Sequence, residues 1–125
     1  MRHLTMALAT ALAIAPFAAN AQDAAAGARV FNQCRACHTI DAGGRNGVGP
    51  NLHGIVGRNA GAIEGFRYSA NMQEWRQGQV WDEALLRRYI TNPKDMLPRG
   101  SMSFPGLRNE QQLNDVIAYL KTQGG

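Results

Sequence analysis

The pentad Cys34-Arg35-Ala36-Cys37-His38 constrains this chain more than any other feature, because it holds both cysteines of the 125 residues. A chain of this length forms one domain, and a single close-spaced pair cannot staple distant segments, so a disulfide scaffold is excluded. Cysteines three positions apart lie about one helical turn apart, close enough to reach both vinyl groups on one edge of a haem. Thioether bonds there fix the porphyrin, and the next residue, His38, is then held against the iron as proximal axial ligand. Covalent attachment makes ligand binding intramolecular, so the haem is not lost on dilution.

Two other chemistries compete for the same residues. A thioredoxin-like redox pair follows a buried strand in a βαβ unit. Here residues 23–33 read as a helix anchored by Val30 and Phe31, and the run after the pentad is rich in glycine. Zinc would need Cys34, Cys37, His38 and His53 together. Adjacent Cys37 and His38 do not easily converge on one tetrahedral ion, and the usual second Cys or His pair is missing. Haem attachment is the stronger reading.

The apolar share, 45%, looks ordinary but is unevenly placed. Of 56 apolar residues, 15 lie in the first 21 positions, leaving 41 in the next 104, or 39%. Met1-Arg2-His3 is a short positive start, residues 4–19 are an apolar stretch interrupted by Pro16, and Ala19-Asn20-Ala21 is a small-x-small cleavage pattern. Residues 1–21 therefore read as a cleaved secretory signal and 22–125 as the mature domain, exported to the periplasm. The apolar stretch falls short of the ~20 residues a spanning helix needs, so stable membrane insertion is not expected. The remaining core is thin for a small domain, which fits a cofactor that supplies part of it. The formal charge of +4 becomes +3 without Arg2, a mild excess. A multidomain enzyme, a repeat array and a charge-driven disordered chain are excluded by the totals. No nucleic-acid partner is expected, and the protein is expected to be a monomer.

An electron-transfer haem takes a second axial ligand, and a methionine thioether raises its potential. Met72, Met96, Met102 and His53 are the candidates beyond the signal. Met72 lies in a helix-like run, 69–76, beside Trp75, where core packing is the plainer role, and Met96 sits between Pro93 and Pro98. His53 reads as a surface histidine. Met102 lies in a segment bracketed by Pro98, Gly100, Pro105 and Gly106, an extended loop able to lay one side chain over a flat cofactor.

The architecture reads as all-α, three to five helices wrapped on one covalently bound haem. Asn109 caps a C-terminal helix whose Leu113, Val116, Ile117 and Leu120 recur at helical spacing, with Gly124 past its end. Residues 82–92 form another, with Leu85, Leu86, Tyr89 and Ile90 inward, stopped by Pro93. Eight glycines between Asp41 and Gly65 are interrupted by Pro50, Leu52, Ile55 and Val56, which reads as close backbone approach to a cofactor.

With the pentad near the mature N-terminus and a loop methionine far downstream, the chain resembles the class I cytochromes c, in particular the soluble bacterial and mitochondrial-type carriers. The resemblance runs through Gly27 and Phe31, Gly49-Pro50-Asn51-Leu52-His53-Gly54, Gly57-Arg58, Gly65-Phe66-Arg67-Tyr68-Ser69, Trp81 to Tyr89, Asn92-Pro93-Lys94, Met102, Phe104 and Tyr119. It implies that the Pro50 carbonyl accepts a hydrogen bond from His38, that Met102 is the second iron ligand, that Arg58, Tyr68 and Trp81 surround the haem propionates, and that Tyr89 sits near the Met102 sulfur. The interval from Tyr68 to Trp81 is about two residues longer than in mitochondrial proteins, so Asn71 is a doubtful match to the family's buried asparagine. Gly100-Ser101 replaces a threonine-lysine pair, and only Lys94 and Lys121 remain as lysines.

The function implied is a periplasmic electron carrier with a His/Met-ligated haem c, working between a quinol-oxidising cytochrome complex and a terminal oxidase or photosynthetic reaction centre. Docking is transient, through a face that Arg35, Lys94, Arg99 and Arg108 could ring. A dedicated acceptor for one exported dehydrogenase is the alternative within the same class. A haem peroxidase or gas sensor would require an open iron site, which Met102 argues against. No catalytic triad, carboxylate pair or phosphate loop is evident, so no enzyme activity is expected.

Overall fold

The computed structural model describes residues 3, 5–11 and 22–124. The expected cleavage triplet Ala19-Asn20-Ala21 lies outside them. Five helices follow one another: α1 Ala24–Phe31, α2 Ala70–Trp75, α3 Glu83–Thr91, α4 Pro93–Met96 and α5 Glu110–Thr122. Among the described residues there is no strand, only one isolated antiparallel bridge between Asn59 and Val80. The fold is all-α, as expected.

Four of the helices begin where a short polar side chain turns back on the backbone. Asp23 accepts from Ala26 N at 3.0 Å, Ser69 from Met72 N at 3.1 Å, Asp82 from Leu85 N at 2.8 Å and Asn109 from Gln112 N at 2.9 Å. Each such cap satisfies one orphan N–H and contributes about 1 kcal/mol. All four caps are the residues at which the sequence places the start of a helix, although only Asn109 is read there as a cap. Pro93 ends α3 as expected, and it also opens α4 from the first-turn position, where its fixed φ suits a helix and its missing N–H costs nothing.

The frame is the crossing of α1 with α5. Gly27 makes it possible, because a Cβ there would collide with the Asp115 carbonyl and the Tyr119 side chain. Phe31, wholly buried, meets the Tyr119 ring at 5.4 Å between centroids. Asp115 is buried too, and its Oδ1 accepts from the Asp23 backbone N at 3.0 Å and from Gln111 Nε2 at 2.8 Å. α5 also packs on α3, where Arg87 Nη2 donates to Asn114 Oδ1. Contact on two sides explains why α5 buries Asn114, Asp115 and Ala118 as well as the stripe of Leu113, Val116, Ile117 and Leu120.

Candidate functional site

Helices and loops together enclose a cavity of about 350 Å³, lined almost wholly by apolar groups. Cys34, Cys37, His38, Pro50, Tyr68, Trp81, Tyr89 and Met102 all line it, so residues up to 68 positions apart converge. Arg58 is not among the lining residues.

The pentad enters the site as a continuation of α1. Cys34 N donates to Phe31 O at 2.8 Å, and Cys37 N and His38 N both donate to Cys34 O, at 3.1 and 2.9 Å. This turn puts both thiols and the imidazole on the cavity. Neither cysteine is in a disulfide. Burial pushes the Cys34 thiol up, with the neighbouring Cys37 adding to the shift, so it stays protonated and available at neutral pH.

His38 is held on one side by a glycine and on the other by a carbonyl. A Cβ at Gly49 would overlap the imidazole, so only glycine lets the backbone approach that closely. Ring Nδ1 lies 2.7 Å from Pro50 O. A carbonyl can only accept, so Nδ1 carries the hydrogen. Burial lowers the His38 pKa while the Pro50 bond partly opposes it, so the ring is neutral at pH 7. A neutral ring with its hydrogen on Nδ1 leaves the Nε2 lone pair for a metal.

Opposite the pentad in sequence, Met102 rides on the loop after α4. The segment is tied at its flanks. Arg99 N donates to Asn71 Oδ1 at 2.8 Å, Gly100 N to Leu97 O at 2.9 Å and Leu107 N to Ile90 O at 2.9 Å, and Lys94 Nζ donates to Gly100 O. Met102 is half-buried. Of the other candidates, Met72 also lines the cavity, from α2 and within the buried core, whereas Met96 and His53 do not. His53 is half-buried rather than at the surface, with Nδ1 3.1 Å from Ile40 O. Among the described residues no three His, Cys, Asp or Glu side chains come together as a metal site, so the four-residue zinc set is not assembled.

The aromatic residues form a connected wall. Trp75 and Trp81 lie 5.5 Å apart, and Trp81 and Tyr89 5.1 Å, in tilted contacts. Burial pushes the Tyr89 phenol up to about 12. Trp81 is fixed through its backbone: its N–H donates to Arg58 O at 2.8 Å and its carbonyl accepts from Gly57 N at 2.8 Å. Arg58 is thereby set beside Trp81, and its charge opposes the rise that burial gives the Tyr68 phenol. The Tyr68 hydroxyl oxygen accepts from Ile63 N at 3.1 Å, leaving its proton to donate elsewhere.

Much of the apolar lining, including Ile63, Leu97 and Leu107, is not singled out by the sequence. These residues sit on irregular backbone, where no period marks the inward side. Two thiols at one edge, a neutral imidazole with a free Nε2, two inward methionines and an apolar cavity fit a flat, apolar, covalently held metal cofactor.

Residues 24–124 match the family described as cytochrome c. The chain is 47% identical over 123 residues to cytochrome c2 of Blastochloris viridis, covering 97% of this chain and 93% of that one. It is 48% identical over 99 residues to cytochrome c-550 of Ancylobacter novellus, covering 78% and 92%. In three dimensions it resembles cytochrome cH from Methylobacterium extorquens, with a TM-score of 0.73 and 40% identity, over 80% of this chain and 98% of that one. Motif, fold and similarity converge: the chain belongs to the cytochrome c family, as a c2-type electron carrier and not an enzyme.

Proposed function

We propose that the cavity holds one haem c, attached through Cys34 and Cys37 and ligated by His38 and Met102, and that the protein carries single electrons in the periplasm. The observation that carries this reading is the His38 ring, committed through Nδ1 to Pro50 O at 2.7 Å in the wall that both free thiols share. Haem c bound there supplies an iron that alternates between ferrous and ferric states.

The chain's own task is to keep its geometry constant through that change. Pro50 fixes the rotation of the imidazole, keeps the hydrogen off Nε2 and raises the basicity of the ring. Met102 brings a soft, neutral thioether that favours the reduced state. Two protein ligands leave no position for a small molecule, so electrons pass and substrates do not. Tyr68 and Trp81 line the cavity and Arg58 stands just outside it. Together they provide the donors that two ionised propionates require in an apolar setting. The loop attachment favours Met102 over Met72, which is packed in the core and carried on a helix.

Residues 1–21 are read as the export signal, and the donor and acceptor as a quinol-oxidising cytochrome complex and a terminal oxidase or photosynthetic reaction centre. Three of the four basic residues considered for docking are engaged locally. Arg35 lies over the Phe31 ring at 5.1 Å, Arg99 pairs with Glu74 at 3.4 Å, and Lys94 turns to Gly100. Docking is therefore weak and only modestly dependent on salt.

One preparation tests the reading. Periplasmic protein is expected to give the alkaline-pyridine spectrum of a haem with two thioether links, a thioether-to-ferric-iron charge-transfer band and a single one-electron titration. Haem that extracts into acidified solvent, or rapid carbon monoxide binding to the reduced protein at neutral pH, overturns it.

A further inference from the structure

The hydrogen bond from His38 to Pro50 does not end at the carbonyl. The N–H of the same peptide unit belongs to Asn51, and in a trans peptide it points away from the carbonyl oxygen. It donates to Asn46 Oδ1 at 2.8 Å. The amide of Asn46 continues the run, donating from Nδ2 to Glu64 O at 3.2 Å. From the imidazole to the Glu64 carbonyl, three hydrogen bonds run head to tail through two amide groups.

Each link in such a series polarises the next, strengthening it by about 10–30% per bond. An amide whose N–H is engaged carries more negative charge on its oxygen. Asn46 therefore acts on the far side of the peptide that holds His38. The Asn51 side chain locks that peptide in place: Nδ2 donates to Thr39 Oγ1 at 2.8 Å and to Asp41 O at 2.9 Å, and Oδ1 accepts from His53 N at 3.2 Å.

We propose that Asn46 is a positioning residue that tunes the reduction potential: its side chain strengthens the Pro50 carbonyl as an acceptor, makes the His38 imidazole more electron-rich and so favours the oxidised iron. The proposal rests on His38 being an iron ligand. Nothing about Asn46 in the linear sequence marks this role, because the relay depends on the two faces of a single peptide plane.

The test uses haem-loaded wild type with Asn46→Ala, the near-isosteric Asn46→Leu and Asn46→Asp, all in high salt so that added charge is screened. Removing the acceptor in N46A or N46L is expected to favour the reduced form about threefold, a rise of about 28 mV for a one-electron couple. N46D keeps a stronger acceptor and is expected to shift the potential the opposite way. In proton spectra, the His38 Nδ1–H resonance is expected to move upfield in N46A and N46L and downfield in N46D. Unchanged potentials, or shifts of one sign in all variants, overturn the proposal, since a purely structural residue would act that way. If N46A and N46L fail to accumulate folded, N46D alone decides, and a potential not below wild type overturns it. Failure of the underlying ligation is separate: it shows in the wild type, as absent haem or absent histidine ligation.

Discussion

The two sides of the cavity that carry the proposed axial ligands, His38 and Met102, are built on different principles. Around His38, support is continuous along the chain. Gly49 N donates to Cys37 O at 2.8 Å, His38 itself bonds Pro50 O, and Leu52 N donates to Thr39 O at 2.8 Å. Around Met102, the ties sit at the flanks, and Ser101 and Ser103 on either side of it are exposed. The reason is chemical. An imidazole has a second nitrogen through which it can be gripped, whereas a thioether offers only a weak acceptor and is placed by its loop alone. Loops tied at their ends belong to the low-stability end of a fold. Ligand exchange should therefore run through the methionine side.

The largest effects are expected from cutting the proposed ligand itself. Met102→Ala is expected to abolish the charge-transfer band and to turn the reduced protein from one that ignores carbon monoxide into one that binds it stoichiometrically. Met72→Ala is expected to keep the band and to cost about 2–5 kcal/mol of stability, as for other truncations of a buried side chain. Unfolding curves and visible spectra of the two variants read both quantities. Exchanged outcomes would make Met72 the ligand and erase the contrast between the walls.

A smaller pair of substitutions asks how much slack each wall has. Gly49→Ala puts a methyl group into the space of the His38 ring and is expected to destabilise the protein by about 1–3 kcal/mol. Ser101→Ala, on the exposed part of the methionine loop, should stay within about 0.5 kcal/mol. Equal costs in denaturant titrations would mean that the loop is as tightly packed as the histidine wall.

The histidine wall was also the more legible of the two in sequence. The pentad and Pro50 are local signals and both reach the cavity wall, whereas of the eight glycines only Gly49 lines it, and Gly43, Gly54, Gly57, Gly61 and Gly65 take positive φ in turns. The cap at Asn109 and the helix starts at Asp23, Ser69 and Asp82 were readable for the same reason. On the other wall, Met102 could be singled out only by the prolines and glycines around it, and the bond from Arg99 N to the half-buried Asn71 had no sequence signal. α4 was hidden because Pro93 reads as a stop, although the same residue can open a helix. Arg58 lies outside the lining with its backbone paired with Trp81, a placement that only the folded chain shows. Ile63, Leu97 and Leu107 were out of reach because irregular backbone has no repeating inward side.

Tyr89 lines the cavity from α3 and gives a background common to both walls. Its phenol is raised from 10.0 to about 12 by burial, so the folded state holds its proton more tightly than the unfolded chain. The stability this contributes is complete below pH 10 and is lost as pH rises through about 12, amounting to about 3 kcal/mol. Stability measured against pH should therefore fall in that window for wild type and less steeply for Tyr89→Phe. Identical slopes would remove this background and leave any alkaline spectral change to the methionine loop.

The smallest expected effect is the most specific to the contrast. Asn71 Oδ1 accepts from Arg99 N at 2.8 Å, three residues before Met102. Asn71→Ala removes that acceptor and should make the loop easier to lift by about 1 kcal/mol, the net worth of one hydrogen bond. Exogenous imidazole competes only with the protein ligand that can leave, so its affinity for the ferric protein reports the lifting directly. It is expected to rise about fivefold in N71A and to return close to wild type in Asn71→Asp, which restores an acceptor. Pro50 and Gly49 do not take part in that opening, so the His38 resonances should be unmoved in both variants. If imidazole affinity is unchanged in N71A, the tie does not limit opening, and the two walls differ less in mobility than in their chemistry.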